Sequence, residues 1–335
     1  MANICIYDVS ETEQTSFAVL HEENDVQLIQ EPLTIDTVNP EAEIISVFVT
    51  SNISGAIIEK MPKLKLIACR STGFNNVNLD AAKHHGITVV NVPTYGEHTV
   101  AEYTIGMLLA LTRKIVTSSL QIARNNLDHS QLHGCDINGK TLGVIGAGRI
   151  GKNVIATAQA LGMKVIVCDP FLNDPLAEEL GVESVSLDDL AEKADVITLH
   201  APLTKENNHL INSQLLAKMK NGVYIINTAR GELIDTAALI EALKSGKVAG
   251  AGLDVLEDEK LMDIDEEELL LKKGAKTKAV LEHVIANTLL LRLPNIIVTS
   301  HNAYNTLEAI GRINTTTRDN IISYLAGDPQ NVVGV

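Results

Sequence analysis

Basic residues are scarce in this chain: 27 Lys and Arg stand against 42 Asp and Glu in 335 residues, a formal net charge of −15. Phosphate backbones and anionic bilayers are held by clustered Lys and Arg, so this balance argues against nonspecific binding to nucleic acid or to a membrane surface. Cysteine is sparse as well. Cys5, Cys69, Cys135 and Cys168 lie far apart without a CxxC pair, which gives no disulfide framework and points to a reducing compartment. No apolar run approaches the roughly 20 residues that span a bilayer. An acidic and polar segment follows the first strand, unlike a signal peptide, so the expected location is cytoplasmic. A Walker loop, a G-x-S-x-G elbow and a kinase signature are all missing.

What is present is an ordinary globular composition, 45% hydrophobic and 21% charged, on a chain long enough that two domains are expected. The most informative stretch is KTLGVIGAGRIG at 140–151, where the apolar run from Leu142 to Ile145 ends in Gly146, Gly148 and Gly151. In a G-x-G-x-x-G turn the first glycine permits a tight strand-to-helix turn, the second admits a pyrophosphate close to the backbone, and the third lets helix pack on strand. The following strand, MKVIVCD, ends at Asp169, 18 positions beyond Gly151. A carboxylate there accepts hydrogen bonds from a ribose diol and repels a 2′-phosphate, which favours NAD over NADP.

Before this turn, NICIYDV, DVQLIQE, EIISVFVT, LKLIACRS and ITVVNV read as strands, with NISGAIIEKM and LDAAKHHG as short helices between them. Alternation of this kind predicts a parallel sheet covered by helices. From Glu97 to about Arg124 the apolar spacing predicts one long helix with protein on both sides. After the turn, MKVIVCD, DVITLHA, GVYIINTA, KVAGAGLDV and NIIVTSH continue the strand pattern, and NTLEAIGRINTTTRDNIISYLAG closes the chain as a helix. Glu257 to Leu293 reads as an insertion with one or two helices. The fold class is therefore α/β, with a doubly wound parallel sheet around the glycine turn.

Ligands of such sheets gather beyond the carboxyl ends of the strands. Among the polar residues there, Arg230 follows an apolar strand and suits bidentate capture of a carboxylate. His301 ends NIIVTSH and has the residue chemistry of a proton donor to a ketone oxygen, with Glu259 as the candidate carboxylate beside it. The acidic run DIDEEE from Asp263 lacks the glycine of a calcium loop and reads as a solvated face. His129, His133 and Cys135 are too few for a metal site, and His84 and His85 fall at a helix end. No metal is expected.

GAGRIG with Asp169 downstream, HAPLT at 200–204, NTARG at 227–231, GLDVLEDE at 252–259 and SHNAY at 300–304 together resemble the D-2-hydroxyacid dehydrogenases, most closely the D-lactate dehydrogenase branch. RSTGFNNVNLD at 70–80 and VPTYGEHTVAE at 92–102 extend the resemblance over nearly the whole chain. It implies two Rossmann-like domains with a cleft between them, a discontinuous substrate domain of residues 1–98 and 300–335 and an NAD-binding domain of residues 99–299. It also implies that Arg230, Glu259 and His301 form a catalytic trio, and that Thr72, Gly73, Tyr95 and Tyr304 meet a small 2-keto or 2-hydroxy acid. Gly146, Gly148, Arg149, Ile150 and Gly151 would lie at the pyrophosphate, Asp169 at the ribose, Ala201, Pro202 and Asn207 at the adenosine flank, and Thr228, Ala229 and Asp254 toward the nicotinamide. A homodimer is implied too. Members of this family commonly carry proline before the histidine and an aliphatic residue after it, where this chain has Ser300 and Asn302. The resemblance leaves open which acid is used, and it also covers non-catalytic NADH-sensing regulators of the same fold.

Overall fold

The computed structural model describes residues 1–257, 259 and 284–334. The chain divides into two compact units, one of Met1–Gly96 with Asn305–Val335 and the other of Glu97–Tyr304.

The smaller unit is built on a five-stranded sheet of order β2-β1-β3-β4-β5. Its strands are β1 (Asn3–Ile6), β2 (Asp25–Leu28), β3 (Ile44–Val47), β4 (Leu66–Cys69) and β5 (Thr88–Val90), all paired in parallel. Strands β3 and β4 are buried along their whole length, which explains why they read as unbroken apolar runs rather than as alternating ones. The last helix, Leu307–Leu325, belongs to this unit, and its buried Asn320 donates to the Asn91 carbonyl at 2.8 Å just beyond β5.

The larger unit carries a seven-stranded parallel sheet of order β12-β11-β10-β9-β6-β7-β8. The strands are β6 (Thr141–Ile145), β7 (Lys164–Cys168), β8 (Glu183–Ser184), β9 (Val196–Leu199), β10 (Val223–Asn227), β11 (Val248–Leu253) and β12 (Ile296–Val298). The order reverses between β6 and β9, the switch point at which doubly wound sheets bind their ligands. Both sheets match the expected α/β class. The exposed β8 lies at the edge and, with two residues, is too short to leave a periodic signal.

The expected helix from Glu97 to Arg124 is two helices, Glu97–Thr112 and Ile115–Ala123, separated at Lys114, whose φ is +57°. The cause lies some 20 residues away in sequence. The Thr112 carbonyl, which a continuous helix would offer to the Val116 N–H, accepts instead from the Cys135 N–H at 3.0 Å. Gly134 makes that approach feasible, since a Cβ there would strike the Thr112 oxygen. The second helix also corrects the expectation of protein on both sides. It buries no residue, and Ile115, Val116, Leu120 and Ile122 are exposed. Of the expected 257–293 insertion, the described part contains a helical stretch at 284–291, and the DIDEEE run lies outside the described residues.

Candidate active site

The glycine turn is built as its spacing predicts. Gly146 has φ +94°, and a Cβ on it would collide with the backbone of His200 and Ala201 at the end of β9. A Cβ on Gly151 would strike the Gly146 carbonyl oxygen. Gly148 differs from both: a Cβ there meets no protein atom within 4 Å. Two glycines are thus required by the protein's own packing, and the third faces open space where a ligand can reach the backbone. Gly148 also caps helix Arg149–Ala160 without any side-chain hydrogen bond to the helix N-terminus. The turn therefore fits a dinucleotide, whose pyrophosphate would lie on those N–H groups.

Asp169, at the end of β7, receives the Ala147 N–H on Oδ2 and the Phe171 N–H on Oδ1, each at 2.7 Å. Its carboxylate thereby ties the strand end to the glycine turn. Asn207 closes the loop after β9, accepting from the Thr204 N–H and donating to the Pro202 carbonyl, both at 2.7 Å. Thr228 shares a 2.9 Å hydroxyl bond with the buried Thr104 of helix Glu97–Thr112.

The three residues expected to act on substrate all belong to the larger unit. His301 Nδ1 lies 2.8 Å from Glu259 Oε1, and both side chains remain more than a third exposed. A carboxylate oxygen can only accept from a neutral or charged imidazole, so Nδ1 carries hydrogen and Nε2 is left for the opposite side. Burial pushes the Glu259 carboxyl up, but the hydrogen bond and charge of His301, joined by the charge of Arg230, outweigh it and hold the carboxyl below its ordinary value.

The backbone around Arg230 is fixed by Asn227, the fully buried last residue of β10, and the guanidinium Nη1 donates to the Ala229 carbonyl at 2.6 Å. The Asn227 amide donates to the Arg230 carbonyl at 2.8 Å and accepts the Ala229 N–H at 3.0 Å. Gly231 follows because no other residue fits: a Cβ would collide with the backbone of Leu256 and Glu257. The segment after Arg230 and the segment leading to Glu259 therefore touch backbone to backbone.

The backbone of His301 is held in the left-handed region at φ +50°, which is uncommon outside glycine and carries a cost of about 1 kcal/mol or more. Asp254, only 1% exposed, sustains it. Its Oδ1 accepts from the Thr299 hydroxyl at 2.5 Å and the Asn302 N–H at 2.8 Å, and its Oδ2 from the Ala303 N–H at 2.8 Å. The His301 N–H itself donates to the Asp254 carbonyl at 2.9 Å. Ser300 stands where the family usually has proline, and here the turn is fixed by these bonds rather than by a ring. The position of Asp254 at a strand's carboxyl end marks it as a candidate, and the resemblance adds a place at the nicotinamide end, but no local signal marks a carboxylate that serves a turn 48 residues later.

Thr72, Gly73 and Tyr95 belong to the smaller unit and Tyr304 to the larger. The Thr72 hydroxyl donates to the Val92 carbonyl and the Asn91 amide to the Thr72 carbonyl, each at 2.8 Å, which joins the loops after β4 and β5. Arg312 donates to the Tyr95 carbonyl at 2.6 Å. Among the described residues no group of three or more His, Cys, Asp and Glu is placed to hold a metal ion, and no helix is long and apolar enough to cross a membrane.

Residues 105–303 match the profile of the D-isomer specific 2-hydroxyacid dehydrogenase family, NAD binding domain. The D-lactate dehydrogenase of Escherichia coli K12 is 40% identical over 291 residues, covering 85% of this chain and 84% of its own. An aromatic 2-oxoacid reductase of Clostridium sporogenes is 42% identical over 261 residues, covering 77% and 75%. The structure of D-lactate dehydrogenase from Aquifex aeolicus complexed with NAD and lactic acid superposes with a TM-score of 0.83 at 34% identity, over 99% of each chain. The glycine turn that fits a dinucleotide and the matches on either side of it lead to one assignment: the chain belongs to the D-isomer specific 2-hydroxyacid dehydrogenase family and is an NAD-dependent enzyme.

Proposed function

We propose that the enzyme reduces pyruvate, or a close small 2-keto acid, to the D-2-hydroxy acid. NADH, when bound, supplies the hydride. Arg230 anchors the substrate carboxylate and polarises the carbonyl through a bidentate guanidinium contact. His301 donates a proton from Nε2 to the carbonyl oxygen, and Glu259 orients the ring through Nδ1. The family resemblance adds Thr72, Gly73, Tyr95 and Tyr304 as substrate contacts. The observation that carries the reading is the 2.8 Å His301–Glu259 pair.

The 42% identity to an aromatic 2-oxoacid reductase supports a second reading, a larger aromatic keto acid in the same chemistry. Turnover of pyruvate, 2-ketoisocaproate and phenylpyruvate with NADH separates the two by the ratio of kcat/KM, and negligible turnover of all three would overturn both in favour of a different acid. Within that panel, Arg230→Gln should raise KM for the best keto acid by roughly tenfold or more, the loss of a charged hydrogen-bonded contact of about 1.5–3 kcal/mol. An unchanged KM would remove Arg230 from the substrate. The same reading takes the chain as cytoplasmic and as a homodimer, the second of which the uncovered Ile115, Val116, Leu120 and Ile122 support and sedimentation tests.

A further inference from the structure

A second histidine–carboxylate pair lies beside the first. His209 Nε2 is 2.6 Å from Glu257 Oε1, and the other oxygen of Glu257 accepts from the Thr236 hydroxyl at 3.0 Å. Glu257 is 12% exposed and His209 38%. The pair is joined to both segments that bear the proposed catalytic groups. On one side, the His209 N–H donates to the Glu232 carbonyl at 2.8 Å, and the bridge continues through Ile211 N–H to Leu233 and Asp235 N–H to Ile211, both at 2.9 Å, on the segment that follows Arg230. On the other side, the Glu257 side chain holds the segment two residues before Glu259, where the buried Asn287 also donates to the Glu257 carbonyl at 2.9 Å. Like His301, His209 sits in the left-handed region, at φ +53°.

We propose that His209 is a positioning residue, which clamps the Arg230 and Glu259 segments together through Glu257 and so sets the placement of Glu259 against His301. The geometry favours this role over a local structural one for two reasons. The two segments already meet at Gly231 without room for a Cβ, so their separation is set to within a fraction of an ångström and needs a fixed tie rather than loose packing. Glu259 stands two residues from Glu257 in sequence, so fixing Glu257 restricts where Glu259 can reach. Among the described residues, the other charged groups on the elements around the pair are Arg230, Glu232 and Asp235 on the facing segment, Glu241 and Lys244 on the helix that begins at Thr236, Lys205 and Glu206 on the loop of His209, and Glu259 itself; the helical stretch 284–291 has none.

The inference rests on Glu259 acting through His301, and the test separates the two. The alkaline limb of kcat/KM for pyruvate reduction, the dissociation constant of NADH by fluorescence, and the melting temperature are measured for the wild type, His209→Ala, His209→Gln, Glu259→Gln and the double variant His209→Ala/Glu259→Gln. Glu259→Gln should move the alkaline limb to lower pH; if it does not, the reading of the trio fails. His209→Ala should move the limb in the same direction and lower kcat/KM by on the order of tenfold, with NADH affinity unchanged. His209→Gln, which keeps an N–H within reach of Glu257, should restore most of the loss. The double variant should be no worse than Glu259→Gln alone, as coupled positions require. Should the His209→Ala protein fail to fold, Glu257→Gln gives the same readout. A limb that stays in place in His209→Ala while only the melting temperature falls, losses that multiply in the double variant, or a weakened NADH affinity in place of the pH shift would each overturn the proposal.

Discussion

The two units of this enzyme share a parallel α/β architecture, and each seats an internally bonded carboxylate at a strand end, Asp8 in one and Asp254 in the other, but they pair their basic side chains there differently. In the smaller unit the chain fills that position with its own charges. Asp8, just after β1, accepts from the Phe48 N–H at 3.1 Å, the Ser51 hydroxyl at 2.6 Å and the Thr50 hydroxyl at 2.5 Å. Arg70, just after β4 and 2% exposed, donates to the carbonyls of Tyr7 and Asp8 at 2.6 and 2.5 Å and faces Glu13 at 3.6 Å. In the larger unit the turn after β6 has no side chain to spare, and the ion pair at the rim, His301–Glu259, stays partly open to solvent. A basic side chain bonded from within is architecture, whereas one with a face open to solvent can do chemistry.

The comparison can be broken at each of its ends. Arg70→Ala should cost about 3–5 kcal/mol of stability, because Glu13 and two carbonyls lose a buried partner; chemical denaturation measures it, and a loss below about 1 kcal/mol would class the pair with surface ion pairs. Gly151→Val drives a side chain into the Gly146 carbonyl, so NADH binding should weaken by about a hundredfold, near 3 kcal/mol, by fluorescence titration. Retained affinity would show that the turn can open without consequence to the cofactor.

The smallest effect concerns pH. Burial raises the Glu13 carboxyl, but bonds from Ser10, the charge of Arg70 and a bond from Asn314 outweigh it, so its folded-state value lies below the ordinary one. A depressed carboxyl contributes stability that is present above the unfolded-state value, near 4.5, and is lost as pH falls through the folded-state value. Glu13→Gln should therefore flatten the fall in stability below about pH 4.5 while leaving the neutral region lowered, as denaturation at several pH values would reveal.

What the sequence made legible follows from how local its causes are. The glycine turn was readable because each requirement for glycine is met within six residues of chain, apart from the wall of His200 and Ala201. The buried strands announced themselves by composition, and Arg230, Glu259 and His301 were named through motifs in the right order. The break at Lys114 was hidden because it depends on Cys135 capturing a carbonyl across a loop. The Asp254 turn and the His209–Glu257 pair were hidden for the same reason, since each joins residues 48 apart. Exposure of Ile115 and its neighbours was unreadable because an amphipathic pattern records which face is apolar but not what covers it.

The central claim is that the open His301–Glu259 pair supplies the proton while the closed Arg70–Glu13 pair supplies only stability. Replacing His301 with Gln tests it most directly. Measured on pyruvate reduction, kcat/KM should fall by about a thousandfold, within the range of a lost general acid, with the NADH dissociation constant and the melting temperature unchanged. Turnover within a few-fold of the wild type, or a fall matched by a lost melting temperature, would contradict it.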